Sequence, residues 1–194
     1  LQSNLPSYKI MEIPPDGDCL YYSIVEVLNI KNITPMRDSD SEDTLKFSKK
    51  TEKLVVSVGH SFTISNILKE AALELRKIIY NKYNENLVKA SEFIPQEKRA
   101  NYGKNIKYSA SSKDPDKKGD WGDELEISLI SALFNLNITV YKSDTNIFNY
   151  KAEESRATFN LGDEYNNDKI ENIYLGYLVN TNHYVSLIDK REEL

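Results

Sequence analysis

A single cysteine and two histidines make up the whole supply of thiol and imidazole in this 194-residue chain, so their placement carries information. Cys19 lies in "PPDGDCLYYSI", residues 14–24, behind two prolines and an Asp-Gly-Asp turn. After it, Leu20, Ile24, Val27 and Leu28 recur at helical spacing, which predicts a helix over 19–29 with Cys19 at its N-terminus. At that place the orphan N–H groups and the positive end of the helix dipole favour thiolate over thiol. The same amides, with those of the turn, can hold a developing oxyanion, and Gly17 gives the turn the backbone freedom to aim them. A free cysteine is also a small and commonly buried hydrophobe. The spacing therefore leaves two readings of Cys19, nucleophile or packing.

A thiol hydrolase needs a base within reach of the sulfur, normally histidine. His60, in "SVGHSF", follows Gly59 and reads as a solvated loop side chain. His183, in "NTNHYVSLID", opens the last predicted strand, a rigid place from which to present a ring; it also fits a half-buried strand histidine. Cysteine early and histidine late is the order of the papain-like Cys-His-Asn hydrolases. The chain holds no Gly-rich phosphate loop, paired-histidine metal motif or serine elbow. One cysteine excludes an internal disulfide and a multi-thiolate zinc site, and neither metal nor cofactor is expected. A chain without disulfides suits a reducing compartment, the cytoplasm of its own cell or, for a secreted bacterial or viral effector, that of a host.

Composition bounds the rest. Hydrophobic residues at 40% and charged residues at 28% describe an ordinary soluble globular protein, and the length suits one domain over 1–194. The net charge of −5 argues against a general nucleic-acid binder, because phosphate neutralisation needs clustered Lys and Arg. No apolar stretch approaches a membrane span, and a monomer is expected. The start at Leu1 rather than methionine suggests a processed or excised piece of something longer.

The elements that would position the two side chains follow from pattern. "YKIMEI" (8–13) reads as a strand that Pro14 and Pro15 stop. Residues 31–65 are polar and loop-rich, apart from "LVVSV" (54–58), a strand or a piece of buried helix. From 64 to about 89, Ile67, Leu68, Ala71, Ala72, Leu75, Ile78 and Ile79 form one face of an amphipathic helix. A polar excursion over 90–118 follows. Asp123 and Glu126 have capping-box spacing and open a helix that Asn135 and Asn137 end before the strand "ITVY". Residues 147–169 read as a strand or hairpin with polar turns, and "NIYLGYLVN" and "HYVSLID" as two strands joined across "NTN". Strands mixed with long helices, without regular alternation, give an α+β class.

Three blocks, "PPDGDCLYYSI", "GDWGDELEISLISALFNLNITVY" and "NHYVSLI", together resemble the ovarian tumour (OTU) family of cysteine deubiquitinases. They match its Asp-Gly-x-Cys-Leu-aromatic block, its Trp-Gly-x-x-x-Glu-Ile helix with a strand ending Val-Tyr, and its His-aromatic block, in the family's order. The segment 31–115 matches only loosely, through the helix near "ALELRKIIYNKY", and a helical and loop region over about 31–118 would be the variable substrate-binding region. The resemblance implies a papain-like fold, a central mixed or antiparallel sheet flanked by helices. It implies Cys19 as the nucleophile on the isopeptide bond at the ubiquitin C-terminus and His183 as its base. Asp16 would shape the loop whose Gly17, Asp18 and Cys19 amides form the oxyanion hole. Trp121 and Tyr184 would line the channel for the two terminal glycines of ubiquitin; each also fits an ordinary structural aromatic. The implied partner is ubiquitin or polyubiquitin, with ubiquitin-like modifiers as the alternative.

One departure stands out. Many relatives place an Asp or Asn two residues after the histidine to orient its ring, and that position here is Val185. Side chains alternate along a strand, so Asn182 and Tyr184 should point away from the side that His183 uses. Asn182 serves only if the strand bends there, and Glu12 is the candidate from the N-terminal segment. The options are a rearranged triad, a working dyad, or a weak enzyme or ubiquitin-binding module on the same scaffold.

Overall fold

The computed structural model describes residues 1–33, 55–58 (backbone only), 61–85, 92, 94–98, 101, 103–162, 165 and 169–192. His60 and Gly59 lie outside these. Strand β1 (Tyr8–Met11) stops short of Pro14 and Pro15, which have no N–H to give a ladder. A turn follows, and then helix α1 (Cys19–Ile30), whose first residue is the cysteine. Ten of its twelve residues are buried, because it lies between the sheet and a second helix.

Strands β2 (Val55–Val58) and β3 (Ser61–Ile64) form an antiparallel hairpin of their own. Within "LVVSV", Val55–Val58 is therefore strand, Leu54 lies outside the described residues, and the residue taken as the helix start, Ile64, ends β3. Helix α2 (Asn66–Glu85) begins two residues later, where the Ser65 hydroxyl accepts the Leu68 N–H at 3.1 Å. Its buried face contains Leu68, Ala72, Leu75 and Ile79, and also Arg76.

Helix α3 (Glu124–Phe134) opens with the expected capping box. Asp123 accepts the Glu124 N–H at 2.8 Å, and Glu126 Oε2 accepts the Asp123 N–H at 2.7 Å. Tyr83 donates to Glu126 Oε1 at 2.7 Å, which fastens α2 to α3. Asn135, left-handed at φ 54°, ends the helix one residue before strand β4 (Leu136–Lys142).

Strand β5 (Ile147–Tyr150) pairs back on β4. Where a strand or hairpin is expected to continue, the chain instead forms helix α4 (Ala152–Phe159). Its buried residues, Ala152, Ser155, Arg156 and Phe159, fall at i, i+3, i+4 and i+7, a helical stripe thinned by its small and charged members. α4 packs on α3 and returns the chain to strand β6 (Glu171–Leu178), parallel to β4. Strand β7 (His183–Asp189) turns back antiparallel to β6 and also pairs with β1. The result is an α+β arrangement with a mixed five-stranded sheet in the order β1-β7-β6-β4-β5. Among the described residues no helix is long and apolar enough to cross a membrane.

This topology brings the two informative ends together. β7 lies between β1 and β6, with α1 packed against it, and Ser186 Oγ donates to the Ser23 carbonyl of α1 at 2.9 Å. The start of α1 thus meets the start of β7. Removing the α3 cap with Asp123→Ala is expected to lower the unfolding free energy by about 0.5–2 kcal/mol. In urea titration the midpoint should fall while the slope stays unchanged.

Candidate active site

The turn before Cys19 is held by its own backbone and by Asp16. The Asp16 N–H donates to the Pro14 carbonyl at 2.9 Å, and the Cys19 N–H donates to the Asp16 carbonyl at 3.1 Å. The Asp18 N–H donates to Asp16 Oδ1 at 2.9 Å. Of the three amides expected to serve an oxyanion, those of Asp18 and Cys19 are therefore engaged by Asp16. The Gly17 N–H has no protein acceptor among the described residues.

Cys19 is buried, and its Sγ accepts the backbone N–H of Tyr184 at 3.5 Å. The thiol therefore lies against the first residues of β7. Burial, the largest influence, pushes its pKa up, and the nearby Asp16 and Asp18 carboxylates push the same way. The N–H groups of Tyr184 and Leu20 favour the thiolate but do not outweigh burial. The helix N-terminus favours thiolate as its position implies, but burial outweighs it and favours the thiol.

His183, 8% exposed, opens β7 immediately after Asn182, which is left-handed at φ 49°. Its Nδ1 is shut from solvent and has no hydrogen-bond partner among the described residues. Burial pushes the imidazole pKa down, while the Ile13 main chain, as a hydrogen-bond partner, pulls the other way. The ring is neutral near pH 7. Asn182 does not turn toward it: its Oδ1 accepts the Tyr177 hydroxyl at 2.8 Å. Val185 is buried opposite Gly176 of β6, and Glu12 is exposed between β1 and Pro14.

Behind the turn sits a residue that pattern reading passed over. Arg76, fully buried, reaches from α2 to Asp18, itself buried, with an N–O distance of 2.5 Å. The same guanidinium donates to the carbonyls of Gly17 (3.1 Å), Ile106 (3.0 Å) and Asp120 (2.8 Å), and it lies 4.0 Å over the Tyr21 ring. Asp18 also accepts from Ser109 Oγ (2.6 Å), Ser111 Oγ (2.9 Å) and the Ala110 N–H (3.1 Å). Burial opposes its charge, but Arg76 and these donors together leave its carboxyl below the ordinary carboxylate range. Asp16, lacking such support, is pushed up by burial. The legible signal for Arg76 was a cation set between Leu75 and Ile79 in the apolar stripe of α2.

Trp121 and Tyr184 have opposite environments. Trp121 is 57% exposed, and its indole lies over the turn. A Cβ on Gly17 would come within 2.5 Å of Trp121 Nε1 and 2.4 Å of Ala110 Cβ. Tyr184 is buried, its ring 4.6 Å from that of Tyr177. A cleft of about 330 Å³ opens beside Trp121, lined by Ile106, Asp120 and Glu126 among others.

A family model for the OTU-like cysteine protease matches residues 14–184 of this chain. The chain belongs to the OTU family. Among solved structures, the OTU domain of OTUD1 is 14% identical, with a TM-score of 0.54 over 96% of this chain and 89% of that one. An ovarian tumour domain in complex with ubiquitin is 18% identical, with a TM-score of 0.48 over 93% and 69% of the two chains. At such identity the likeness to OTUD1 is one of fold. No curated protein matches the chain.

Two outcomes are expected of this OTU domain. With one cysteine in the chain, alkylation by iodoacetamide read by intact mass reports Cys19 alone. Because only thiolate reacts and its pKa is raised, the rate should keep climbing above the pH at which a free cysteine levels off; a midpoint below that of free cysteine would contradict it. Gly17→Ala should displace the only tryptophan and strain the Ala110 segment. A changed tryptophan emission and a lowered Tm are the readouts.

Proposed function

We propose that this OTU domain is a deubiquitinase, hydrolysing isopeptide bonds at the ubiquitin C-terminus through Cys19 and His183. The observation that carries the reading is the thiol at the head of α1 accepting the Tyr184 N–H, one residue beyond His183, in a chain of the OTU-like cysteine protease family. Ubiquitin is the substrate that the family resemblance implies.

The chemistry starts from a neutral pair. His183 removes the Cys19 proton as sulfur attacks the carbonyl carbon of the terminal glycine, and the carbonyl electrons move onto oxygen. The Gly17 N–H is the uncommitted donor in the turn for that oxyanion; the Asp18 and Cys19 amides join only by releasing Asp16. On collapse the C–N bond breaks and the lysine nitrogen takes the proton back from His183, leaving a thioester. Water then gives a proton to His183 and its oxygen to the acyl carbon. The ubiquitin carboxylate leaves, and the thiol is restored. No metal or cofactor enters this scheme. Exposed Trp121 over Gly17 forms one wall for the glycine tail, while Tyr184 contributes its backbone N–H to the sulfur and its ring to the wall behind it.

A second reading, a ubiquitin-binding module with little turnover, draws on the unpartnered His183 Nδ1 and on Val185 in the orienting position. One experiment separates the two. Ubiquitin bearing a thiol-reactive electrophile at its C-terminus should give a one-to-one adduct on Cys19, absent in Cys19→Ala. In His183→Ala it should slow by about 10²–10⁴-fold. Binding of ubiquitin by the folded wild-type chain with no adduct would favour the module. An adduct formed only with a ubiquitin-like probe would reassign the substrate.

A further inference from the structure

The Asp18–Arg76 contact does more than neutralise a buried charge. A peptide unit is planar and trans, so fixing the direction of its carbonyl fixes its N–H in the opposite direction. The Gly17–Asp18 peptide is held at both ends: Arg76 donates to its carbonyl at 3.1 Å, and its N–H donates to Asp16 Oδ1 at 2.9 Å. The same guanidinium joins that peptide to Ile106, to Asp120 beside Trp121, and through the Asp18 carboxylate to Ser109–Ser111. Three stretches distant in sequence, which carry the thiol turn, its indole cover and the segment beneath, meet on one side chain.

We propose that Arg76 is the positioning residue of the site: through its fork to Gly17 and Asp18 it sets the conformation of the turn that presents Cys19, and through Ile106 and Asp120 it holds the covering segments in place. A lysine has the charge but not the planar fork, so it cannot serve these four oxygens at once. The inference rests on the Cys19–His183 reading for its catalytic consequence, though not for its geometry.

The charged and titratable groups that act on the thiol are Asp16 and Asp18 from the turn and Tyr177 from β6; the Tyr184 backbone of β7 donates to it, one residue after His183, Tyr22 follows it on α1, and Arg76 of α2 stands behind Asp18. Three full-length variants, each checked for native circular dichroism, separate charge from geometry. Asp18→Asn removes a negative neighbour and leaves Arg76 unmatched, so the pH midpoint of Cys19 alkylation should fall. Arg76→Gln leaves Asp18 charged by its Ser109, Ala110 and Ser111 donors, so the midpoint should rise. Arg76→Lys should keep the wild-type midpoint yet form the ubiquitin adduct on the order of a hundredfold more slowly at saturating probe, a loss of kcat-like reactivity rather than of affinity.

General structural damage would not move the midpoints in opposite directions. Folded variants whose midpoints shift together or not at all, or an Arg76→Lys that reacts at the wild-type rate, overturn the proposal. Should Arg76→Gln not fold, Asp18→Asn and Arg76→Lys decide the matter by the same criteria. A wild-type chain inert to the ubiquitin probe would sink the substrate reading alone; the alkylation midpoints and the iodoacetamide rate of Arg76→Lys would still judge the clamp.

Discussion

Asp18 carries a carboxylate into a place closed to water, one residue before the thiol, and the surrounding chain is organised about that burial. A charge there survives only if paired and fully hydrogen-bonded. The pairing comes from Arg76 and the bonding from Ser109, Ala110 and Ser111. Taking one partner from such a pair typically costs about 3–5 kcal/mol, whereas replacing the whole pair with apolar groups can cost little. The pair is thus a poor source of net stability. Its value lies in specificity: a guanidinium fork satisfied by four oxygens in fixed directions allows few arrangements of the turn, and greasy packing would allow many.

The same burial governs the sulfur. A helix N-terminus and two backbone N–H groups favour thiolate, and in a more open site they would prevail. Here exclusion of water and two carboxylates outweigh them, so the Cys19 thiol and, by its own burial, the His183 imidazole both favour the neutral form. Each partner's shift opposes the charged state, which makes the neutral form self-consistent. A buried neutral thiol is poorly reactive toward small electrophiles, and in the proposed mechanism it is called upon only when a carbonyl is seated within reach and His183 takes the proton in the same step.

What could be read from the chain was what local chemistry dictates. The helix at Cys19, the Asp123–Glu126 box and the last hairpin follow from prolines, caps and alternation, and all three are where sequence reasoning put them. β3 was hidden because Phe62 and Ile64 sit in a short mixed stretch that also suits a helix start, and only its pairing with β2 decides. α4 was hidden because Ser155 and Arg156 occupy core positions that hydropathy counts as polar. Arg76 was hidden for the same reason in sharper form. Its partners lie 58 positions before it (Asp18) and 30 to 44 after it (Ile106 and Asp120), so no local window contains them. The candidate site residues could be named from local pattern, and the buried cation behind their turn could not.

The empty orienting position beside His183 has a physical explanation in the neighbouring strand. Val185 is paired with Gly176, and a Cβ on that glycine would come within 2.8 Å of Val185 and 2.5 Å of Leu1. The space two residues beyond the imidazole is therefore close-packed and apolar, and an Asp or Asn placed there would give up solvent for the imidazole as its one new partner. A carboxylate behind a histidine matters most when the ring must become imidazolium and stay so. A resting pair that is neutral on both sides demands less of it. What the ring needs at rest is a fixed direction, and its place directly after a left-handed Asn182, on a residue paired with Leu178 of β6, supplies much of that through the backbone. In the proposed mechanism, a dyad on this scaffold is then coherent: packing holds the imidazole, and substrate binding rather than a third side chain brings out its charge.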